Sequence, residues 1–193
     1  RRIATVGYYV MLPNLYYRTA REFTLDGSPD SRKTMFEHMA FITNAMAVDD
    51  CRTMLEFAAG DDAAGDGPAG CTGYCMSGPF AFAAAAQIAD RIKAAASIHG
   101  VRLCVDEDDS PHVDAARIQG EIYFGCAEHD DYAPPEMIEK LDKHLQSTGI
   151  EYRIEWNPGT HHGYVFPQRD AVYHKESAER HWERLFAMFK RRL

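Results

Sequence analysis

From Ala69 to the end of the chain, apolar runs of strand length alternate with helical segments, and this alternation constrains the fold more than any other feature. "AGCTGY" reads as a strand and "SGPFAFAAAAQIADRI" as the helix that follows it. "KAAASIHG" is a strand of small residues that opens onto an acidic loop, "VDEDDSPHVDA". "RIQGEIYFGCAEHDD" is a strand with its loop, and "PPEMIEKLDKHLQSTG" is a helix opened by two prolines and closed by Gly149. "IEYRIEWNPG" alternates as a strand, "THHGYVFPQRD" is a loop, and "AVYHKESAERHWERLFAMFKRRL" is a final amphipathic helix. Strands alternating with helices of this length predict an α/β fold with a mostly parallel sheet and helices on both faces. Sites in such sheets form at the carboxyl ends of the strands. That rule directs attention to loops 13–18, 74–78, 126–134 and 158–166.

The first third is less regular. "RRIATV" reads as the tail of a helix stopped by Gly7, and the apolar run Tyr8–Leu12, ended by Pro13, as a buried strand. Residues 18–31 are rich in turn formers and form an excursion. Asp30 or Ser31 is expected to cap a helix over "RKTMFEHMAFITNAMAV", with a second helix over "VDDCRTMLEFAAG". "GDDAAGDGPAG" is a surface loop that does not divide domains, because a strand restarts at once. The expected organisation is one domain over residues 1–193, without repeats.

Composition narrows the function. The net charge is −8 and no basic stripe is present, which excludes a general nucleic-acid binder. The terminal "KRR" is the solvated last turn of a helix, where cations suit the dipole. No apolar run reaches the ~18 residues of a membrane helix. The 5 cysteines are an odd number without regular spacing or a CxxC pair, so reduced thiols in a cytoplasmic setting are expected. The acidic loops 61–66 and 106–109 read as solvated surface.

Three of the four loops carry chemistry. One supplies Cys75, another Asp130 and Asp131, and a third His161 and His162. Nucleophile, acid, histidine is the chain order of the α/β-hydrolase triad, whose nucleophile elbow reads G-x-S-x-G. Here the turn is Gly73-Tyr74-Cys75-Met76-Ser77-Gly78. An elbow forces its central residue to a positive φ, and side chains two before and two after would collide, so Gly73 and Ser77 must be small. The sulfur is then lifted clear at the start of a helix, which favours a thiolate. The amide of Met76 points where an oxyanion would form.

These motifs resemble the dienelactone hydrolase family, the cysteine-using branch of the α/β-hydrolases. "RIATVGYYVMLPNLYYR" is similar to the family's segment ending in Asp-Leu-Tyr-x-Arg, and "GYCMSG" to its cysteine elbow. "EHDDYAPPE" resembles its acid loop, which selects Asp130 through the spacing to Pro134; "PGTHHGY" resembles its His-Gly-aromatic loop, which selects His162 before Gly163 and Tyr164. The resemblance implies Cys75 as nucleophile, His162 as base and then acid, and Asp130 as the group that orients the imidazole. It implies hydrolysis of a small ester or lactone through a thioester, without a cofactor or metal. Arg18, Tyr74 and Phe166 are expected to line the substrate.

The chain departs from the family at three points. The family's early strands, with a second oxyanion-hole amide and a glutamate near the cysteine, would precede Arg1. Roughly a quarter of a family-length chain is expected there. The second substrate-holding arginine, four residues after the histidine, is Phe166 here, with Arg169 nearby but out of register. Asn14 replaces the usual aspartate.

Other readings compete. Cys75 could be a core thiol. Cys71, ~13 Å away along an extended strand, is too far to bridge to it and reads as packing. Cys51, Cys104 and Cys126 read as structural, and Phe80, Phe82, Trp156 and Trp182 as core or pocket wall. His129, Asp130, Asp131, His161 and His162 could suggest a metal site, without a helical His spacing to support it. A thioesterase on the same triad and a non-catalytic binding module on the same fold are the alternative functions. The partner expected is a small ester or lactone, with no nucleic acid or membrane and the oligomeric state open.

Overall fold

The alternating segments form four parallel strands in the order β1-β2-β3-β4: β1 is Ala69–Tyr74, β2 Ile92–Ile98, β3 Glu121–His129 and β4 Glu151–His161. This is a computed structural model that describes residues 1–193. Two compact units make up the chain, Arg1–Asp66 and Gly67–Leu193, and the sheet belongs to the second.

In this second unit the two central strands are apolar along their length. Ala94, Ala95, Ala96 and Ile98 in β2, and Ile122, Tyr123 and Phe124 in β3, are buried, as strands covered on both faces must be. Three helices close the layers: α3 (Gly78–Gln87), α4 (Pro135–Gln146) and α5 (Lys175–Arg192). Neighbouring residues of β1 assign the faces, since side chains alternate along a strand. Cys71 Sγ donates to the Ala81 carbonyl of α3 at 3.4 Å, whereas a Cβ on Gly70 would press against Phe189 and Leu193 at the end of α5. α3 and α5 therefore cover opposite faces. The same alternation recurs in β3. Phe124 meets Phe82 of α3 edge-to-face at 5.2 Å, and Tyr123 turns to the α5 side, where its hydroxyl donates to Glu155, itself held by Arg184 of α5. Tyr152 reaches Asp142 of α4, so α4 shares the face of α3.

α3 is built for this depth: Gly78, Pro79 and Ala81 to Ala86 are all buried, and only small or apolar side chains fit. α4 buries a single stripe, Ile138, Leu141 and Leu145, at the 3–4 spacing of an amphipathic helix. Each of these side chains contributes about 1.5–3 kcal/mol of burial. The acidic loop after β2 runs into a 3-10 segment over Pro111–Arg117 that packs on α3.

The first unit holds α1 (Pro29–Phe41) and α2 (Asn44–Ala59). Three expectations fail here. The single helix expected over residues 32–48 is broken at Ile42, because Thr43 takes an extended conformation and caps α2, its hydroxyl accepting from the Met46 amide. The cap of α1 is Ser28, followed by Pro29 at the first helical position. The run Tyr8–Leu12 is not a strand: it has no ladder partner, and Leu12 is 94% exposed. The stop at Gly7 holds, with φ +98 closing a short 3-10 turn over Ala4–Val6. No helix is long and apolar enough to cross a membrane.

Candidate active site

Each strand of the sheet ends in a polar residue, and the four residues gather at one rim. Cys75 follows β1, His99 follows β2, Asp130 follows β3 and His162 follows β4.

The turn after β1 is the expected elbow. Cys75 stands at φ +53, a left-handed conformation that costs a non-glycine residue about 1–3 kcal/mol. Gly73 is obligatory, because a Cβ there would overlap the Ser77 carbonyl. Ser77 does more than stay small. Its hydroxyl accepts from the Tyr74 amide at 2.8 Å and donates to the Tyr74 carbonyl at 3.0 Å, which ties the turn shut. Gly78 and Gly100 let the turn sit against the end of β2, where a Cβ on either would strike Ser97 Oγ. Met76 follows Cys75 in the 3-10 turn that leads into α3.

Asp130 is fixed from three sides. One oxygen accepts from the backbone amides of Tyr132 and Ala133, both at 3.0 Å. Both oxygens face His162 Nδ1, at 2.9 and 2.8 Å. The carboxylate is 1% exposed and the imidazole 11%. Asp131 is exposed, so the choice between the two acids falls to Asp130. His161 is still part of β4, pairs in register with His129 and faces outward, and the strand thus runs further than its proline and glycine foretold. His162 is the first residue past the ladder, and Gly163 at φ +87 turns the chain away behind it.

Burial opposes the His162 cation. Burial is the largest single influence, but the hydrogen bond that Nδ1 donates to Asp130, the neighbouring Cys75 and the charges of both together exceed it, and the pKa rises to about 9. At neutral pH the ring therefore holds its proton. The Cys75 sulfur is close enough to add to this rise, yet Nε2 is buried and makes no well-formed hydrogen bond. The sulfur is within electrostatic reach of the ring but not aligned on it. Tyr132 lies against the His162 ring at 4.9 Å and His99 at 4.8 Å.

Tyr74 and Phe166 belong to the same rim, their rings 5.9 Å apart. The Tyr74 hydroxyl pairs with His181 of α5 at 3.4 Å. The guanidinium of Arg169 folds over Phe166, 5.0 Å from its centroid. Arg18 lies in the first unit, where it makes a bidentate pair with Asp50 at 2.7 and 2.8 Å. The remaining cysteines behave as packing. All are free thiols, and burial pushes Cys51 up to about 11 and Cys126 up to about 12. His129, Asp131 and His161 do not gather with Asp130 and His162 into a ligand set.

His99 is the residue that sequence reasoning missed. It ends a run of small strand residues and looks like the last of them. The signal was its place: a histidine before a glycine at a strand terminus beside the elbow.

A parallel sheet with a strained cysteine turn after one strand, an acid after another and a histidine after the last has the arrangement of an α/β-hydrolase fold. The model of the dienelactone hydrolase family matches residues 1–193, and the chain belongs to that family. It is 25% identical over 194 residues to the "Putative carboxymethylenebutenolidase" of Methylorubrum extorquens, covering 98% of this chain and 65% of that protein. It is 25% identical over 121 residues to Protein usf of Aquifex pyrophilus, covering 63% of this chain and 50% of that one. The chain thus spans half to just under two thirds of these relatives. Among solved structures it resembles the "Putative Dienelactone Hydrolase" of Klebsiella pneumoniae, with TM-score 0.85 and 23% identity over 98% of this chain and 78% of that one. A dienelactone hydrolase-like promiscuous phosphotriesterase from metagenomic libraries aligns with TM-score 0.79 and 15% identity, over 99% and 77% of the two chains.

Proposed function

We propose that the protein hydrolyses a small carboxylic ester or lactone with Cys75, His162 and Asp130 as its triad. The observation that carries this reading is the 2.8 Å bond that His162 Nδ1 donates to buried Asp130, on an imidazole beside the elbow cysteine. His162 holds a proton at neutral pH, and Asp130 stabilises this imidazolium through Nδ1. The sulfur attacks the substrate carbonyl, and the oxyanion forms at the Met76 amide. Collapse of this intermediate breaks the bond to the leaving oxygen, which takes the proton from His162, and a thioester remains on Cys75. Water then gives a proton to His162 and attacks the thioester. The acid departs and the sulfur regains its starting state. An ester suits this cycle better than an amide, because an alkoxide needs less protonation to leave. Phe166 and Tyr74 offer an apolar wall, and the Arg169 guanidinium over Phe166 would meet an anionic group on the substrate.

The test uses two readings of one protein. Iodoacetamide should alkylate Cys75. The protein should also cleave p-nitrophenyl acetate, and Cys75→Ala should abolish both. A wild-type protein that cleaves no activated ester would instead favour a binding module on a hydrolase fold.

A further inference from the structure

His99 occupies a place that packing alone does not explain. In the parallel register Tyr74 lies opposite Ile98, so Cys75 and His99 are the next residues on adjacent strands. Both leave the sheet with positive φ, +53 and +38. The His99 amide donates to the Gly125 carbonyl at 2.7 Å, which fixes its backbone against β3. Its ring is 1% exposed and stands edge-to-face with His162. Tyr164 and Phe166 lie 5.7 and 5.3 Å away and Tyr74 6.2 Å.

Neither ring nitrogen makes a well-formed hydrogen bond; the one polar contact is a weak one to its own backbone. Leaving a buried polar atom unpaired costs about 1–3 kcal/mol, and a phenyl ring would fill this space without that cost. The neighbouring hydroxyls are engaged elsewhere, Tyr164 by Asn157 and Tyr74 by His181. The other unpaired ring nitrogen at this rim is Nε2 of His162, the atom that faces the chemistry. Unpaired polar atoms gathered beside a nucleophile mark the place where a ligand supplies the missing bonds. Burial, and then the positive charge of His162, hold His99 neutral, its pKa lowered to about 3. A neutral imidazole offers one donor and one acceptor.

We propose that His99 contacts the substrate, hydrogen-bonding a polar atom on the acyl portion next to the carbonyl that Cys75 attacks. The site then favours acyl groups bearing a hydroxyl, oxo or amide function over plain alkyl groups of the same size. The inference rests on the reading of Cys75 as the nucleophile.

The test compares p-nitrophenyl glycolate with p-nitrophenyl propionate, which differ by a hydroxyl in place of a methyl. The ratio of their kcat/KM values is measured in the wild type, His99→Phe and His99→Gln, which cancels the intrinsic reactivity of the esters. The ratio should fall roughly 10-fold or more in His99→Phe and be largely retained in His99→Gln, as loss of one hydrogen bond to substrate requires. A ratio within about twofold of wild type in folded His99→Phe overturns the proposal. A second measurement needs neither turnover nor a variant. Side-chain 15N NMR of the wild type is recorded with Cys75 carboxamidomethylated and with Cys75 methylthiolated. The His99 nitrogens should shift on the amide-bearing adduct alone; identical His99 spectra in the two adducts overturn the proposal. A protein that cleaves no ester but shows this shift would refute the esterase reading and leave His99 as a binding group.

Discussion

Asp130→Asn tests the electrostatics of the site with little damage to its frame. The Tyr132 and Ala133 amides both bond Oδ1, and an asparagine oxygen accepts them equally well. What changes is the face toward His162. The imidazole pKa stands near 9 against an ordinary 6.5, although burial pulls it down, so the raising contributions of Asp130 and Cys75 together exceed the net shift. A charge-assisted hydrogen bond is worth about 1.5–3 kcal/mol. Discounted for solvent at the partly open mouth, its loss should lower the His162 pKa by ~1–2 units. The imidazolium beside the sulfur would then be less populated near neutral pH, and iodoacetamide should label Cys75 roughly 10-fold more slowly. Turnover should fall further, on the order of 10³-fold or more, because an amide facing Nδ1 favours the wrong tautomer. An unchanged labelling rate, with ester hydrolysis within about threefold of wild type, would refute the role given to Asp130.

Further outcomes follow from the same geometry. Gly73→Ala should destabilise the protein by more than about 3 kcal/mol in chemical denaturation, because the new methyl overlaps the Ser77 carbonyl and the tied turn cannot yield. Stability should peak near pH 6.5. His99 is neutral in the folded state down to about pH 3, so below 6.5 the unfolded chain binds the extra proton and stability falls with acid, by about 2 kcal/mol at pH 5. His162 acts in the opposite sense: its raised pKa gives stability that is fully present below 6.5 and lost as pH rises through about 9, about 1–2 kcal/mol after allowance for screening. Denaturation free energies at pH 5, 6.5 and 9 check both limbs, and His99→Phe should flatten the acid one.

Strand–helix alternation was legible because burial on both faces of β2 and β3 demands nearly continuous apolar runs, and the elbow because its backbone excludes side chains. Asp130 and His162 were legible only as members of a pattern: nothing local separates Asp130 from Asp131, and the backbone amides that hold one carboxylate appear only in three dimensions. Tyr8–Leu12 misled for a related reason. An apolar run reports a preference for burial but not the presence of a partner strand, and Leu12 found none. The break between α1 and α2 was hidden because Thr43 acts as a cap through its extended backbone while the sequence around it stays helical in character. His99 was missed for want of register: its His-Gly place at a strand end was readable, but its meaning comes from lying across from Cys75, and pairing is set by the whole sheet.

The direct test of the catalytic claim is to catch the acyl group. The protein is mixed with p-nitrophenyl acetate, quenched in acid during turnover, digested and examined by mass spectrometry. One acetyl group on the peptide that contains Cys75, labile to hydroxylamine and absent from Cys75→Ala, is the expected result. Turnover that proceeds with Cys75 unmodified under quenching, or that survives in Cys75→Ala, would contradict it.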